Sequence, residues 1–174
     1  DRYEQPATDF PTDVRTMALQ GDTLWIGALN GLYTYQLQNR KLSPLDTKRN
    51  GLPHNTIYSI IRTGDNQIYV GTYNGLCRYI ASNGKFEKIP LPVNSSQSNL
   101  FVNSLLEDTG RQCIWIGTEG YLFQYFPSTG QMKQTEAFHN NSIKSLALDG
   151  NGDLLAGTDN GLYVYHNDVT PLQH

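Results

Sequence analysis

The chain has 174 residues, a net charge of −3 and 38% hydrophobic residues, enough for one or two domains with an apolar core. Nucleic-acid binding needs clustered Lys and Arg, so this near-neutral composition argues against a nucleic-acid partner. No apolar stretch approaches the roughly 20 residues of a membrane-spanning helix. The spacing of Cys77 and Cys113 matches neither a zinc site nor a disulfide framework.

A fourfold repeat organises the sequence. Gly27, Gly71, Gly117 and Gly157 each close an apolar tetrapeptide, and they are separated by 44, 46 and 40 residues. Leucine follows each glycine at the fifth position and tyrosine follows at the eighth. These columns hold Leu32, Leu76, Leu122 and Leu162, and Tyr35, Tyr79, Tyr125 and Tyr165. Periods of about 40–45 residues are typical of β-propeller blades.

The period within each repeat is two, which predicts four short strands per repeat and almost no helix. In the second repeat we expect strands at Thr56–Thr63, Gln67–Thr72, Leu76–Ala81 and Lys85–Leu91. The blades are expected at residues 12–46, 55–91, 100–137 and 141–174, and residues 1–11 are interpreted as the remnant of a preceding blade. The predicted fold is all-β, a β-propeller with four four-stranded blades that is a fragment of a larger propeller.

The second strand of each repeat is nearly all apolar, which suits burial between neighbouring blades, and its glycine is expected to let backbones approach closely. A four-blade arc would leave two blade faces bare, and large exposed apolar patches are rarely tolerated. The arc could close into a small ring, or two chains could pair. Four lies within the known range of blade numbers, which favours closure.

Turns between the second and third strands are marked by glycine. Asn30-Gly31, Asn74-Gly75 and Asn160-Gly161 favour type I′ hairpins, whose two central residues both need positive φ. The third repeat has Gly120-Tyr121 instead, which we interpret as a type II′ turn with glycine in the first central position. That turn would place an aromatic side chain on the rim of the propeller beside Glu119.

With these columns in place, the chain resembles the two-component regulator propeller repeats. The matching segments of the second repeat are Asn55–Ile60, Ile68–Thr72, Gly75–Tyr79 and Asn83–Phe86, and Gly51–Asn55 is similar to the family's lead into a blade. The resemblance implies the periplasmic sensor region of a membrane-anchored hybrid two-component histidine kinase. Such a region would detect oligosaccharides from polysaccharide breakdown, and the kinase itself lies outside this chain.

The rim that carries these turns and the blade-connecting loops is the usual ligand face of a propeller. Aromatic rings can stack on sugar rings, while amides and carboxylates bind hydroxyl groups. The ligand-binding candidates are Glu119, Tyr121, His54, Asn55, Arg49, His139 and Asn140. Tyr121 could instead cover a neighbouring blade, and single exposed apolar groups are common enough to favour that interpretation.

No catalytic residue, metal site or cofactor is predicted. Asp149–Asp153 is similar to the start of a calcium loop, but it falls at a hairpin turn, where Asp, Asn and Gly are expected for backbone reasons. Expected partners are an oligosaccharide and either further propeller blades or a second chain. Two alternatives to a sensor stay open: a protein-interaction scaffold, and a propeller hydrolase or lyase using carboxylates such as Glu107, Asp108, Glu119 and Asp159.

Overall fold

The computed structural model describes residues 10–92, 101–135 and 141–166, which form four antiparallel sheets in sequence order. The first blade comprises β1 (Val14–Gln20), β2 (Thr23–Ala28), β3 (Gly31–Gln36) and β4 (Lys41–Leu45). The second comprises β5 (Ile57–Arg62), β6 (Ile68–Thr72), β7 (Gly75–Ile80) and β8 (Lys85–Ile89). The third comprises β9 (Val102–Asp108), β10 (Cys113–Thr118), β11 (Leu122–Phe126) and β12 (Gln131–Thr135). The fourth comprises β13 (Ile143–Leu148), β14 (Leu154–Thr158) and β15 (Gly161–Tyr165).

Each blade is a simple meander, in which every strand pairs with the next along the chain. The propeller-blade fold predicted from the repeat is therefore confirmed, and the four strands expected in the second repeat agree with β5–β8 to within a few residues. Two expectations fall outside the described residues. One is the outer strand of the last repeat, and the other is the blade remnant at residues 1–11, of which only residues 10 and 11 are described.

One short helix, α1 (Thr47–Asn50), follows β4. Asp46 caps its N-terminus by accepting a hydrogen bond from the Arg49 backbone N–H at 2.7 Å, and Gly51 ends it at φ 74°. The Asn50 side chain donates to the carbonyl of Gly84 at 2.9 Å, which ties the helix to the outer part of the second blade. No helix in the described part of the chain has the length and apolar character needed to cross a membrane.

The repeated glycine marks the closest contact between blades. A Cβ atom built on Gly71 would lie 2.6 Å from Val102 Cγ1, on the innermost strand of the next blade. The equivalent atoms at Gly27 and Gly117 would meet Ile57 and Ile143 in the same way. Glycine is thus required because the next blade occupies the space of a side chain, as the sequence predicted.

The hydroxyl column upstream of each glycine links the blades through hydrogen bonds. Ser59 Oγ donates to the carbonyl of Val102 at 3.1 Å, between the second and third blades. Thr16 Oγ1 accepts from the backbone N–H of Ile60 at 3.1 Å, between the first and second. Apolar packing and these polar contacts together fix the angle between successive blades.

Within the described residues the arc is open at both ends, and the ring closure favoured by the sequence is not seen in this part of the chain. Leu162 is 69% exposed, whereas its counterparts Leu32, Leu76 and Leu122 are fully buried. Met17 on the first blade is 61% exposed, whereas its counterpart Ile60 is 6% exposed. The first and fourth blades therefore each present an apolar face that the inner blades bury against a neighbour.

Candidate ligand-binding rim

Antiparallel pairing places the turns between second and third strands at one edge of every blade, together with the segments that lead into the next blade. We call this edge the upper rim, and the opposite edge, with the other hairpin turns, the lower rim. Two hydrogen bonds tie incoming segments to upper-rim turns: Thr56 Oγ1 donates to the Leu29 carbonyl at 3.1 Å, and the Ser142 N–H donates to Asp159 Oδ1 at 3.0 Å. The upper rim is thus a continuous surface.

A threonine at the end of the second strand shapes three of the upper-rim turns. Thr72 Oγ1 donates to the Gly75 carbonyl at 2.9 Å and accepts from the Asn74 N–H at 3.0 Å. Thr158 makes the same two bonds in the fourth blade. Thr118 in the third blade also donates to the carbonyl three residues on, but it accepts from the N–H of that same residue, Tyr121. These hydroxyls hold the hairpins in one conformation and so fix the neighbouring rim side chains.

The type I′ assignment of these turns was wrong in detail. Gly75 and Gly161 have φ of 97° and 111°, but the preceding asparagines are not among the described residues with positive φ, because each glycine begins the third strand. Gly120, at φ 127°, is by contrast the second central residue of its turn, after Glu119, and not the first as the sequence interpretation had it. The turns are therefore stabilised by the threonine hydroxyls and one left-handed glycine.

Glu119 is the centre of a polar cluster on the upper rim between the third and fourth blades. Its carboxylate accepts from Asn103 Nδ2 at 3.0 Å and from Lys144 Nζ at 3.1 Å. Asn103 Nδ2 also lies 3.4 Å from Ser142 Oγ. Partial burial raises the pKa of Glu119, but the hydrogen bonds from Asn103 and Lys144 outweigh it and hold the pKa below its ordinary value.

An aromatic strip runs along the upper rim between the second and third blades. His54 packs against Tyr73 with ring centroids 4.8 Å apart, and Tyr73 packs against Phe101 at 4.1 Å. Tyr58 lies 6.0 Å from Phe101 on the other side. All four rings are partly exposed. His54 Nδ1 accepts the backbone N–H of Thr56 at 3.0 Å, which fixes the imidazole against Tyr73.

The strip and the polar cluster meet at the start of β9, because Phe101 directly precedes this strand and is separated from Asn103 by one buried residue, Val102. Tyr58 and Asn103 share a further property. Each is the extra residue of a β-bulge at the upper end of the innermost strand. Bulges re-aim side chains and are common beside binding sites.

The same bulge occurs in all four blades, where the extra residues are Arg15, Tyr58, Asn103 and Lys144. Sequence reasoning missed this column because it falls on a variable position of the repeat, just before the hydroxyl residue. The only signal was the variation itself. Arginine, tyrosine, asparagine and lysine occupy this one position, whereas the columns on either side hold similar residues in every repeat.

The sequence candidates occupy different parts of this surface. Glu119 and His54 lie in the polar cluster and the aromatic strip. Tyr121 is partly buried and packs against the core cluster that contains Phe123 of its own blade, with the two rings 5.9 Å apart. Asn55 is exposed beside His54. Arg49 lies on α1, where its side chain is 86% exposed and pairs with Asp46, so the structure does not bring it to Glu119.

His139 and Asn140 lie outside the described residues. The calcium-like stretch forms a hairpin turn, in which Asp149 Oδ1 accepts the backbone N–H groups of Asn151 and Asp153 at 2.8 Å. That carboxylate oxygen is used by the turn itself, as the backbone interpretation expected.

The carboxylates considered for hydrolysis are engaged in hydrogen bonds. Glu107 accepts the Gly64 N–H on the lower rim, and Asp108 accepts from Arg111 and from the Trp115 indole. On the upper rim, Glu119 and Asp159 both contact the segment at Ser142. A glycosidase acid needs a raised pKa, whereas Asp108 and Glu119 have lowered values.

Comparison with known proteins supports the repeat assignment. The family described as two component regulator propeller matches residues 51–74. No curated protein shows a significant match. The extracellular domain of BT4673 from B. thetaiotaomicron is 91% identical over 99% of this chain, with a TM-score of 0.90. One structure describes that protein as a hybrid two component system and a second as a one component system.

This chain spans about a quarter of that extracellular domain, 23% in one structure and 24% in the other. The extracellular domain of BT3049 from the same organism is 22% identical, with a TM-score of 0.72, over 90% of this chain and 22% of its own. The computationally designed protein Ika4 is 15% identical, with a TM-score of 0.66, over 94% of this chain and 99% of its own. The last two share the fold alone.

Proposed function

Because the chain belongs to the two-component regulator propeller repeats, we propose that it is part of an extracellular, periplasmic sensor region that binds oligosaccharides on its upper rim. The parent would be a hybrid two-component histidine kinase anchored in the inner membrane. The observation that carries the proposal is the meeting of the aromatic strip with the Glu119 cluster across Phe101–Asn103.

This arrangement suits a sugar for chemical reasons. Aromatic faces match the apolar faces of pyranose rings, while a carboxylate, an amide and an ammonium group offer acceptors and donors to hydroxyl groups. Glu119 stays ionised well below neutral pH, because Asn103 and Lys144 stabilise the carboxylate. These hydrogen bonds therefore favour the ionised form of Glu119, which accepts hydrogen bonds from hydroxyl groups.

The open ends of the arc support a place inside a larger domain. The bare apolar faces around Met17 and Leu162 match the faces that join the inner blades. We propose that further blades of the parent pack there, which fits the small share of the BT4673 extracellular domain that this chain spans. A ligand on the upper rim would then contact residues beyond this chain, so the chain alone should bind weakly.

Calorimetric titration tests the proposal with a panel of plant and host oligosaccharides, on this chain and on the full extracellular region. The full region should bind at least one oligosaccharide. Phe101→Ala and Glu119→Gln should each weaken that binding about tenfold, because each removes one stacking or polar contact with the ligand. Lys85→Ala, exposed at the lower-rim end of the outermost strand β8, is the control and should bind normally.

Two results would count against the proposal. Binding by the full region that survives both rim substitutions would discard the upper rim as the site. The absence of binding across the whole panel would favour a protein-interaction scaffold instead.

A further inference from the structure

A cavity opens on the lower rim between the second and third blades, at the opposite edge from the aromatic strip. Its volume is about 640 Å³, within the range of small-ligand sites. One wall is built by Gln67, Tyr69 and Arg78, and the other by Glu107, Gln112 and Ile114. The cavity therefore lies in a blade interface, although that interface is otherwise closely packed.

A break in the repeat explains why space remains there. The column that precedes each glycine by two residues holds Trp25 in the first blade and Trp115 in the third, but Tyr69 in the second. The indole of Trp25 packs on Tyr79 of the next blade with centroids 4.7 Å apart, and Trp115 packs on Tyr165 at 5.7 Å. The smaller phenol of Tyr69 reaches Tyr125 only at 6.2 Å.

The indoles and the phenol also differ in their polar contacts. Trp25 and Trp115 donate to Gln20 and Asp108 at the foot of their own blades. Tyr69 instead interacts with Arg78 on the adjacent strand, and burial raises the pKa of Tyr69, so its hydroxyl stays protonated at neutral pH. The wall of the cavity is thus polar where the other two interfaces hold an indole ring.

Arg78 supplies a guanidinium group to this wall, and its side chain is one-third exposed. One guanidinium nitrogen pairs with Glu87 at 2.8 Å, so the group is held in place beside the cavity. The lining also carries the carboxylates of Asp65 and Glu107, and Asp108, which pairs with Arg111. Carboxylates therefore outnumber guanidinium groups around the cavity, which disfavours an anionic ligand.

We propose that this cavity is a binding site for an uncharged polyhydroxylated ligand, a sugar of one or two rings. The Arg78 guanidinium and the amides of Gln67 and Gln112 would donate to its hydroxyl oxygens, and the Glu107 carboxylate would accept from its hydroxyl hydrogens. Tyr69 and Ile114 provide the apolar floor. The site is separate from the upper rim and does not depend on the proposed function of that rim.

NMR titration of the isotopically labelled chain tests the site with a panel of methyl glycosides of glucose, galactose, mannose, xylose and N-acetylglucosamine. At least one should shift the Arg78 Nε–Hε signal and the Gln67 and Gln112 side-chain amides, at up to about 50 mM ligand, well above a millimolar Kd. The matching methyl glucuronide should bind about tenfold more weakly than the glucoside, because the lining repels its carboxylate.

The repeat itself supplies matched variants. Tyr69→Trp introduces the residue of the first and third blades and should abolish the shifts by filling the cavity. Arg78→Gln introduces the residue that Gln124 provides in the third blade, and it should weaken binding about tenfold by replacing the charged guanidinium with a shorter, neutral amide. Phe101→Ala, on the upper rim, should leave the titration unchanged.

The proposal is overturned if no glycoside shifts these signals, which would make the cavity a solvated cleft, or if Tyr69→Trp binds like the original chain. Loss of binding in Phe101→Ala would place the site on the upper rim instead. A well-dispersed amide spectrum shows that each variant is folded. Should Tyr69→Trp not fold, Arg78→Gln decides the matter on its own.

Discussion

Replacing Trp115 with phenylalanine removes one hydrogen-bond donor from a buried carboxylate. Trp115 is 1% exposed, and its Nε1 donates to Asp108 Oδ2 at 2.9 Å. Asp108 also accepts from the Arg111 backbone at 2.9 Å and from its guanidinium at 2.5 Å. The first blade offers a matched control, since Trp25 is 2% exposed and donates to the neutral amide oxygen of Gln20 at 3.1 Å.

The two substitutions remove the same ring volume but different hydrogen bonds. A bond to a charged group is worth about 1.5–3 kcal/mol and a neutral one about 0.5–1.5 kcal/mol. Trp115→Phe should therefore lower the free energy of unfolding by about 1 kcal/mol more than Trp25→Phe does at pH 7, after the common loss of packing cancels.

The difference should also depend on pH. Burial raises the pKa of Asp108, but the bonds from Trp115 and Arg111 outweigh it and hold the folded-state pKa below its ordinary value. A depressed carboxyl pKa stabilises the fold above the unfolded-state value of about 3.9, and that stability is lost as the pH falls through the folded-state pKa. Trp115→Phe raises the folded-state pKa, so its extra cost should shrink in this acid range.

Urea unfolding followed by circular dichroism at several pH values between 7 and 3 measures both effects. Equal costs for the two variants at pH 7, or a difference that persists unchanged at pH 3, would refute the role given to the charged hydrogen bond. Other carboxylates titrate in the same range, but they are common to both variants and cancel in the comparison.

Two further predictions concern the blade interfaces. Gly71→Ala should destabilise the chain by about 1–3 kcal/mol through overpacking against Val102, and in thermal melts it should cost more than Gly157→Ala, whose added methyl meets only Ser145 of its own blade. Leu76→Ala should cost about 2–5 kcal/mol because Leu76 is fully buried, whereas Leu162→Ala should change stability by under about 0.5 kcal/mol in this chain. A large loss of stability for Leu162→Ala in this chain, measured by the same melts, would contradict the conclusion that Leu162 is exposed on the fourth blade.

The blade architecture could be predicted from the sequence because it depends on columns that recur. Interface positions such as Gly71 and Leu76 have a neighbour on each side, so every inner blade solves the same packing problem with the same residue. The open ends could not be predicted in this way. Leu162 stands in a column whose other members are buried, and it is exposed because no further blade packs against it in this structure.

The candidate site was harder to predict because binding side chains occupy positions where the repeat varies. Glu119 and His54 were found through their place in upper-rim loops, but Tyr58, Tyr73, Phe101 and Asn103 were not. The bulge that re-aims Tyr58 and Asn103 is a feature of strand register, and neither residue carries a motif of its own. The pairing of His54 with Tyr73 and Phe101 is likewise a contact between blades, which one repeat cannot reveal.

Both candidate sites thus use positions where the residue differs from blade to blade, and there is a physical reason for this. A residue in a fully repeated column is held by packing on two sides and cannot be exchanged without cost. A residue at a bulge, or a smaller ring in an indole column, leaves surface or volume that the neighbouring blade does not fill. Tyr69 shows the consequence most directly, since restoring tryptophan should gain packing and remove a cavity. If Tyr69→Trp stabilises the chain in thermal melts, the cavity is maintained at the expense of stability, as expected for a site retained for binding.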